Sequence, residues 1–139
     1  MGQQQLLLVI LVTIIVGIAT VVAINTFGAA ADSANIDAVR QDLASIAASA
    51  QGYYMKPVML GGGGRSFENI TFNDIAFSGG LGLDDDDEVS ELIAENDNGV
   101  YTIGTGTADE VIVSAVPASG GTINITIRPN GADMGDYIP

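Results

Sequence analysis

The chain has 139 residues, 47% of them hydrophobic, and carries 17 Asp and Glu against 4 Lys and Arg, for a formal charge of −13. With neither Cys nor His, it has no means to form disulfides, thiol nucleophiles, or zinc and iron sites built on thiolate or imidazole. The length sets a ceiling of one domain, and the acidity repels nucleic-acid phosphates and anionic lipid headgroups alike, so no nucleic-acid partner is expected.

The first predicted element is apolar. No charged side chain occurs from Met1 to Ala31, so all 21 charges lie in the 108 residues that follow. Leu6 to Ile24 reads LLLVILVTIIVGIATVVAI, 19 residues interrupted only by Thr13, Gly17 and Thr20, whose hydroxyls can bond back to helix carbonyls. As a helix this run spans a bilayer's hydrocarbon, since ~20 residues at ~1.5 Å each cover about 30 Å. A cleaved signal peptide wants a basic start and a shorter apolar run, and here an uncharged MGQQQ precedes a longer one, although Ala29 to Ala31 are small enough for a cleavage site. A plain membrane anchor is usually flanked by Lys or Arg, and the first here is Arg40. The remaining reading is a helix that passes through a membrane and is later buried in protein.

No breaker ends that helix before Pro57, which predicts one element from about residue 3 to residue 56, with Gly28 as the alternative end of a first helix. Gly17 and Gly28 mark places where it can bend. From residue 32 to residue 56 the pattern turns amphipathic. Ile36, Val39, Leu43, Ile46, Ala50 and Tyr53 recur at spacings of three and four, while Asp32, Asp37, Arg40, Gln41 and Asp42 fall largely elsewhere. The chain thus divides into a helix over 1–56, apolar over 1–31 and amphipathic over 32–56, and a β-rich head over 57–139.

Beyond Pro57, Gly61 to Gly64 read as a flexible linker; no Lys-Ser/Thr pair follows to make a phosphate loop. Ser66 to Phe72 alternates and predicts a short strand or hairpin. The run Asp84 to Glu88 supports two readings. In one, an Asp caps a short helix, DEVSELIAEN, with Val89, Leu92 and Ile93 as its apolar face. In the other, Asp84, Asp86, Glu88 and Glu95 occupy positions 1, 3, 5 and 12 of a calcium loop, although position 6 is Val89 where an EF-hand needs Gly. Calcium is therefore the one cofactor candidate.

VYTIG at Val100 to Gly104, EVIVSAV at Glu110 to Val116 and TINITIRP at Thr122 to Pro129 are β-branched runs separated by turn residues, predicting an antiparallel meander. One face of the last carries Ile123, Ile125 and Ile127, and the amphipathic half of the helix is its expected partner. The fold class is α+β, a long N-terminal helix on a small antiparallel sheet of four or five strands, too few for the ~7 of an immunoglobulin-like sandwich. Asn69 and Asn124 each begin a glycosylation sequon, both on predicted strands. No catalytic residue is expected, because without His an activated hydroxyl would have to rely on Lys56.

A short polar start, an uncharged apolar helix, an amphipathic continuation to about residue 55, a Gly-rich loop and an antiparallel sheet together resemble the type IV pilins. The resemblance covers the whole chain in layout and is most specific over the first thirty residues. It implies a prepilin peptidase that cuts after a Gly and methylates the new N-terminus, assembly machinery in the cytoplasmic membrane, and copies of the same chain as partners in an extracellular filament for adhesion or motility. Processing and assembly then involve Met1, Gly2, Gln3 and Gln5, and the filament core takes Leu6, Leu7, Val9, Ile10, Ile14, Gly17, Ile18, Val21 and Ile24. The expected first mature residue is Met1, with a leader upstream; that places Gln5 where the family has a Glu that offsets a neighbour's terminal amine. Cleavage after Gly2 instead makes Gln3 first and Leu7 fifth. A secretion-system pseudopilin, and from a different class a membrane-anchored domain binding a divalent ion or another ligand, are the alternatives.

Overall fold

The computed structural model describes residues 2–139. One helix, α1 (Gly2–Met55), opens the chain, followed by a 3₁₀ turn (Val58–Leu60) and six strands: β1 (Gly80–Leu83), β2 (Val89–Asn96), β3 (Gly99–Ile103), β4 (Val111–Pro117), β5 (Ile123–Arg128) and β6 (Gly131–Met134). Two compact units divide inside α1, one ending at Ala34 and the other running from Asn35 to Pro139. The second half of the helix is therefore part of the head.

In the first unit the helix runs through Gly17 and Gly28 without interruption, so the alternative end at Gly28 does not occur. Its three threonines satisfy their hydroxyls on the helix itself. Thr13, Thr20 and Thr26 Oγ1 donate to the carbonyls of Val9, Val16 and Val22 at 2.7, 2.8 and 2.8 Å, which lets polar residues sit in an apolar run.

In the second unit the sheet is a six-stranded antiparallel meander in sequential order, and α1 packs on it. Strands β3, β4 and β5 alternate buried and open positions throughout. Their inner face, Tyr101, Ile103, Val111, Val113, Ala115, Ile123, Ile125 and Ile127, meets Val39, Leu43, Ile46, Ala47, Ala50 and Tyr53 of the helix in one core. Each large apolar side chain buried here is worth roughly 1.5–3 kcal/mol, and the alternation ensures that one register satisfies all of them.

Three local expectations are corrected. Ser66 to Phe72 is no strand: it is a series of turns that delivers Phe67, Ile70, Phe72 and, just beyond, Ile75 into the core, so its apparent period of two had no ladder behind it. Asp84 to Asn96 contains no helix. It forms the β1–β2 turn and then β2, which pairs with β1 on one side and β3 on the other, and two partners outweigh a modest helical preference.

Nor are Gly61 to Gly64 a loose linker. Gly63 N donates to Tyr53 O at 2.9 Å, Gly64 N to Lys56 O at 3.0 Å and Arg65 N to Tyr54 O at 2.8 Å, so the loop caps the last carbonyls of α1. Pro57, extended and lacking an N–H, stops the helix. A Cβ on Gly62 would run into the Lys56 carbonyl oxygen, and one on Gly63 into that of Ser66. The loop is glycine-rich because backbone lies against backbone.

Candidate functional site

The assembly candidates lie on the first unit. Gly2, Gln3 and Gln5 are in the first turns of α1, while Met1 lies outside the described residues. Leu6, Leu7, Val9, Ile10, Ile14, Gly17, Ile18, Val21 and Ile24 all follow on the same helix, and every one is exposed. Large apolar side chains from Leu6 to Phe27 are 51–74% open to solvent, on all sides of the helix. This helix is long and apolar enough to cross a membrane. An element apolar all round is stable only where lipid or other protein covers it.

The metal candidates separate. Asp84, Asp86 and Glu88 share the β1–β2 turn, but Glu95 pairs with Gly80 at the far end of the same hairpin, about 20 Å along the strand from Val89 at ~3.3 Å per residue. Asp84 Oδ1 accepts from the backbone N–H of Asp86 and of Glu88, each at 3.0 Å, which closes the turn with Asp87 in the left-handed region at φ 59°. The expected helix cap does not occur, because no helix follows; Asp84 closes a β-turn instead. Among the described residues, no three Asp or Glu side chains are grouped to hold a metal. Asn69 is exposed in a turn, not on a strand, and Asn124 is exposed on the outer side of β5.

A polar latch joins helix and sheet that the amphipathic pattern had not singled out. Asp42 Oδ2 accepts three hydrogen bonds, from Tyr101 Oη at 2.6 Å, Asn98 Nδ2 at 2.8 Å and Asn96 Nδ2 at 2.9 Å. Burial would raise the Asp42 carboxyl, but these three donors outweigh it and hold the group below its ordinary value. The Tyr101 hydroxyl is pushed well above its usual range by burial, by its bond to Asp42 and by the charge there. Two turns earlier on the helix, Asn35 Nδ2 donates to Asn98 O at 2.8 Å while its Oδ1 accepts from Ser119 N and Oγ at 3.0 Å. Asn35 and Asp42 therefore fasten the β2–β3 and β4–β5 turns to one side of α1. The available signal was spacing: Asp42 stands three residues after Val39 and four before Ile46, on the buried stripe itself.

At the other end of the head, an open groove of about 920 Å³ lies between the end of α1 and the β5–β6 turn, lined by Tyr54, Arg65, Asp109, Arg128, Asn130 and Asp133 among others. Arg128 is held by Asp133 and, at 3.4 Å, by Glu110. Arg65 and Lys56 make no ion pair among the described residues.

No protein family, curated protein or solved structure matches this chain.

Proposed function

We propose that the chain is a structural subunit of an extracellular filament of the type IV pilus kind, with residues up to about 34 in the filament core and the α+β head outside. The observation that carries this reading is the contrast between the two units. The head completes its own core, whereas the apolar helix leaves every large side chain uncovered. Before assembly the cytoplasmic membrane covers that surface; afterwards neighbouring helices replace the lipid, each side chain contributing roughly 1.5–3 kcal/mol. The work is structural, and neither reaction nor cofactor enters it. A prepilin peptidase and an assembly machinery are implied partners, and copies of the chain are the principal ones.

The decisive experiment is N-terminal peptide mass spectrometry on fibres sheared from cells expressing the chain, with electron microscopy of the same fraction. Long filaments containing a methylated N-terminus at Met1 or Gln3 are expected. Recovery of the chain only from detergent-extracted membranes, unmethylated, would move it to a membrane-anchored domain.

A further inference from the structure

Two apolar patches of the head are left open, one at each end of it. The first follows α1. Met55, Val58, Met59 and Leu60 are 66–97% exposed, yet their turn is firmly held, because the N–H groups of Leu60 and of Gly61 to Arg65 all donate to carbonyls of Tyr53 to Val58. Contiguous apolar surface this open on a folded domain marks a contact site. No Asp or Glu occurs between Asp42 and Glu68, and Lys56 falls within the patch itself. Arg65 shares the nearby groove with Asp109, and Arg128 is held by Asp133 and Glu110, whereas Lys56 does not line that groove and makes no ion pair among the described residues.

The second patch lies on the outer face of the sheet. Glu95, Val100 and Val116 stand side by side in one row across β2, β3 and β4, with Val100 and Val116 39% and 47% exposed. Neither β3 nor β4 contains a charged residue, so the carboxylates bordering this row are those of Glu95 and of Asp97 in the β2–β3 turn. Both are exposed, and neither forms an ion pair among the described residues. The two patches cannot meet within one molecule. Asp42 of α1 holds Asn98, two residues before Val100, while Gln51 holds the Arg128 carbonyl at the other end of the strands. Met55 lies 13 residues beyond Asp42 on the same helix, about 20 Å at ~1.5 Å per residue. The helix also covers the inner face, and Val100 and Val116 point from the outer one.

We propose that the Met55–Leu60 patch of one copy of this chain docks on the Val100–Val116 row of a second copy, with Lys56 set against Glu95 and Asp97. This inference rests on the filament reading and names the contact between its heads. Apolar side chains that water now covers meet apolar side chains, and the one cation without a carboxylate of its own meets two carboxylates without a cation. Because the patches differ and stand at opposite ends, the contact is head-to-tail, and such contacts build open polymers or rings rather than closed pairs. A single contact of this size is weak, but the bundled helices hold the heads at high effective concentration.

The test uses the full chain, which has no Cys of its own. Met59→Cys and Val100→Cys in one chain place a thiol on each patch. Mild oxidation of assembled filaments should link copies into a ladder, and neither single variant should link, since a disulfide needs Cα atoms within about 7 Å. Pairwise linking by Met59→Cys alone would mean that like patches meet, and would overturn the proposal. Glu95→Lys should lower filament yield roughly tenfold although it makes the chain less acidic, where repulsion alone predicts a gain. Adding Lys56→Glu should restore the yield. A dye on the Met59→Cys thiol should be shielded from iodide in filaments; one that stays quenchable until vesicles of anionic lipid are added would give the turn to a membrane instead. Filaments that form normally, give no ladder and tolerate Glu95→Lys overturn this contact and leave the filament reading intact. An unaltered chain that never forms filaments removes both.

Discussion

The Tyr101 hydroxyl on β3 donates to Asp42 on α1 across 2.6 Å, between residues 59 apart in sequence, and it is the shortest of three bonds converging on one carboxylate oxygen. Replacing Asp42 by Ala leaves three donors, Tyr101, Asn98 and Asn96, without their acceptor. Each unsatisfied group costs about 1–3 kcal/mol when buried and less where water can reach it. The expected loss is about 2–4 kcal/mol, read as a lower denaturant midpoint at unchanged slope for the full chain in detergent. Tyr101→Phe, which deletes one donor and leaves the ring in place, should cost only about 1 kcal/mol.

Acid should weaken the same latch. Asp42 belongs to the folded head, and its carboxyl titrates below the ordinary Asp value of about 3.9 taken for the unfolded chain. A depressed folded value means that the contribution is fully present above about pH 4 and is lost as the pH falls through the folded value. Unfolding midpoints compared at pH 6 and pH 3 should differ more for the unaltered chain than for Asp42→Ala. Equal differences would deny the latch its share of the acid sensitivity.

Substitutions in the glycine loop should rank by contact rather than by helix preference. Gly62→Ala and Gly63→Ala drive a methyl into backbone oxygen and are expected to destabilise the head by about 2 kcal/mol or more. Gly28→Ala meets open space in α1 and should stabilise the isolated chain's helix by up to ~1 kcal/mol. Thermal circular dichroism of the three variants in one detergent gives the order directly.

A charge in the apolar unit should separate assembly from folding. Ile14 is exposed on α1 at 53%, so Ile14→Lys leaves the head core and the Asp42 latch untouched. Head stability should stay within about 0.5 kcal/mol while filament yield collapses, because an unpaired ammonium in a helix bundle is strongly disfavoured. Filaments of normal abundance would contradict the placing of this helix in a buried core.

Ionic strength opposes the repulsion between subunits of charge −13. The screening length is ~10 Å at 0.1 M salt and ~30 Å at 0.01 M, so dialysis into salt-free buffer with chelator should loosen filaments and restored salt should recover them. Sedimentation of the dialysed fibres measures this, and fibres that pellet unchanged would count against the expectation.

Much of the architecture was legible along the chain because it depends on periodicity. The uncharged run through Ala31 and the three-and-four spacing from Ile36 to Tyr53 dictated a helix with two characters, and the alternation at Ile123, Ile125 and Ile127 fixed which side of β5 faces it. The sites read less well. Asp84 to Asn96 has local preferences compatible with a capped helix, and only the presence of β1 and β3 on either side, invisible in a local window, makes it a strand. The same pairing carries Glu95 away from the turn that a calcium loop needed.

By itself the sequence determined that one end of this protein is a helix that water cannot solvate comfortably, and that the other is a sheet with a single apolar face, since both follow from where side chains fall on a regular backbone. Only the tertiary structure decided the rest: that Asp42 is a latch, that the glycine loop caps a helix, and that Glu95 stands far from the acidic turn. Those facts depend on which distant residues meet, because a hydrogen bond or an ion pair is set by distances of about 3–4 Å in space, whatever the number of residues between the partners.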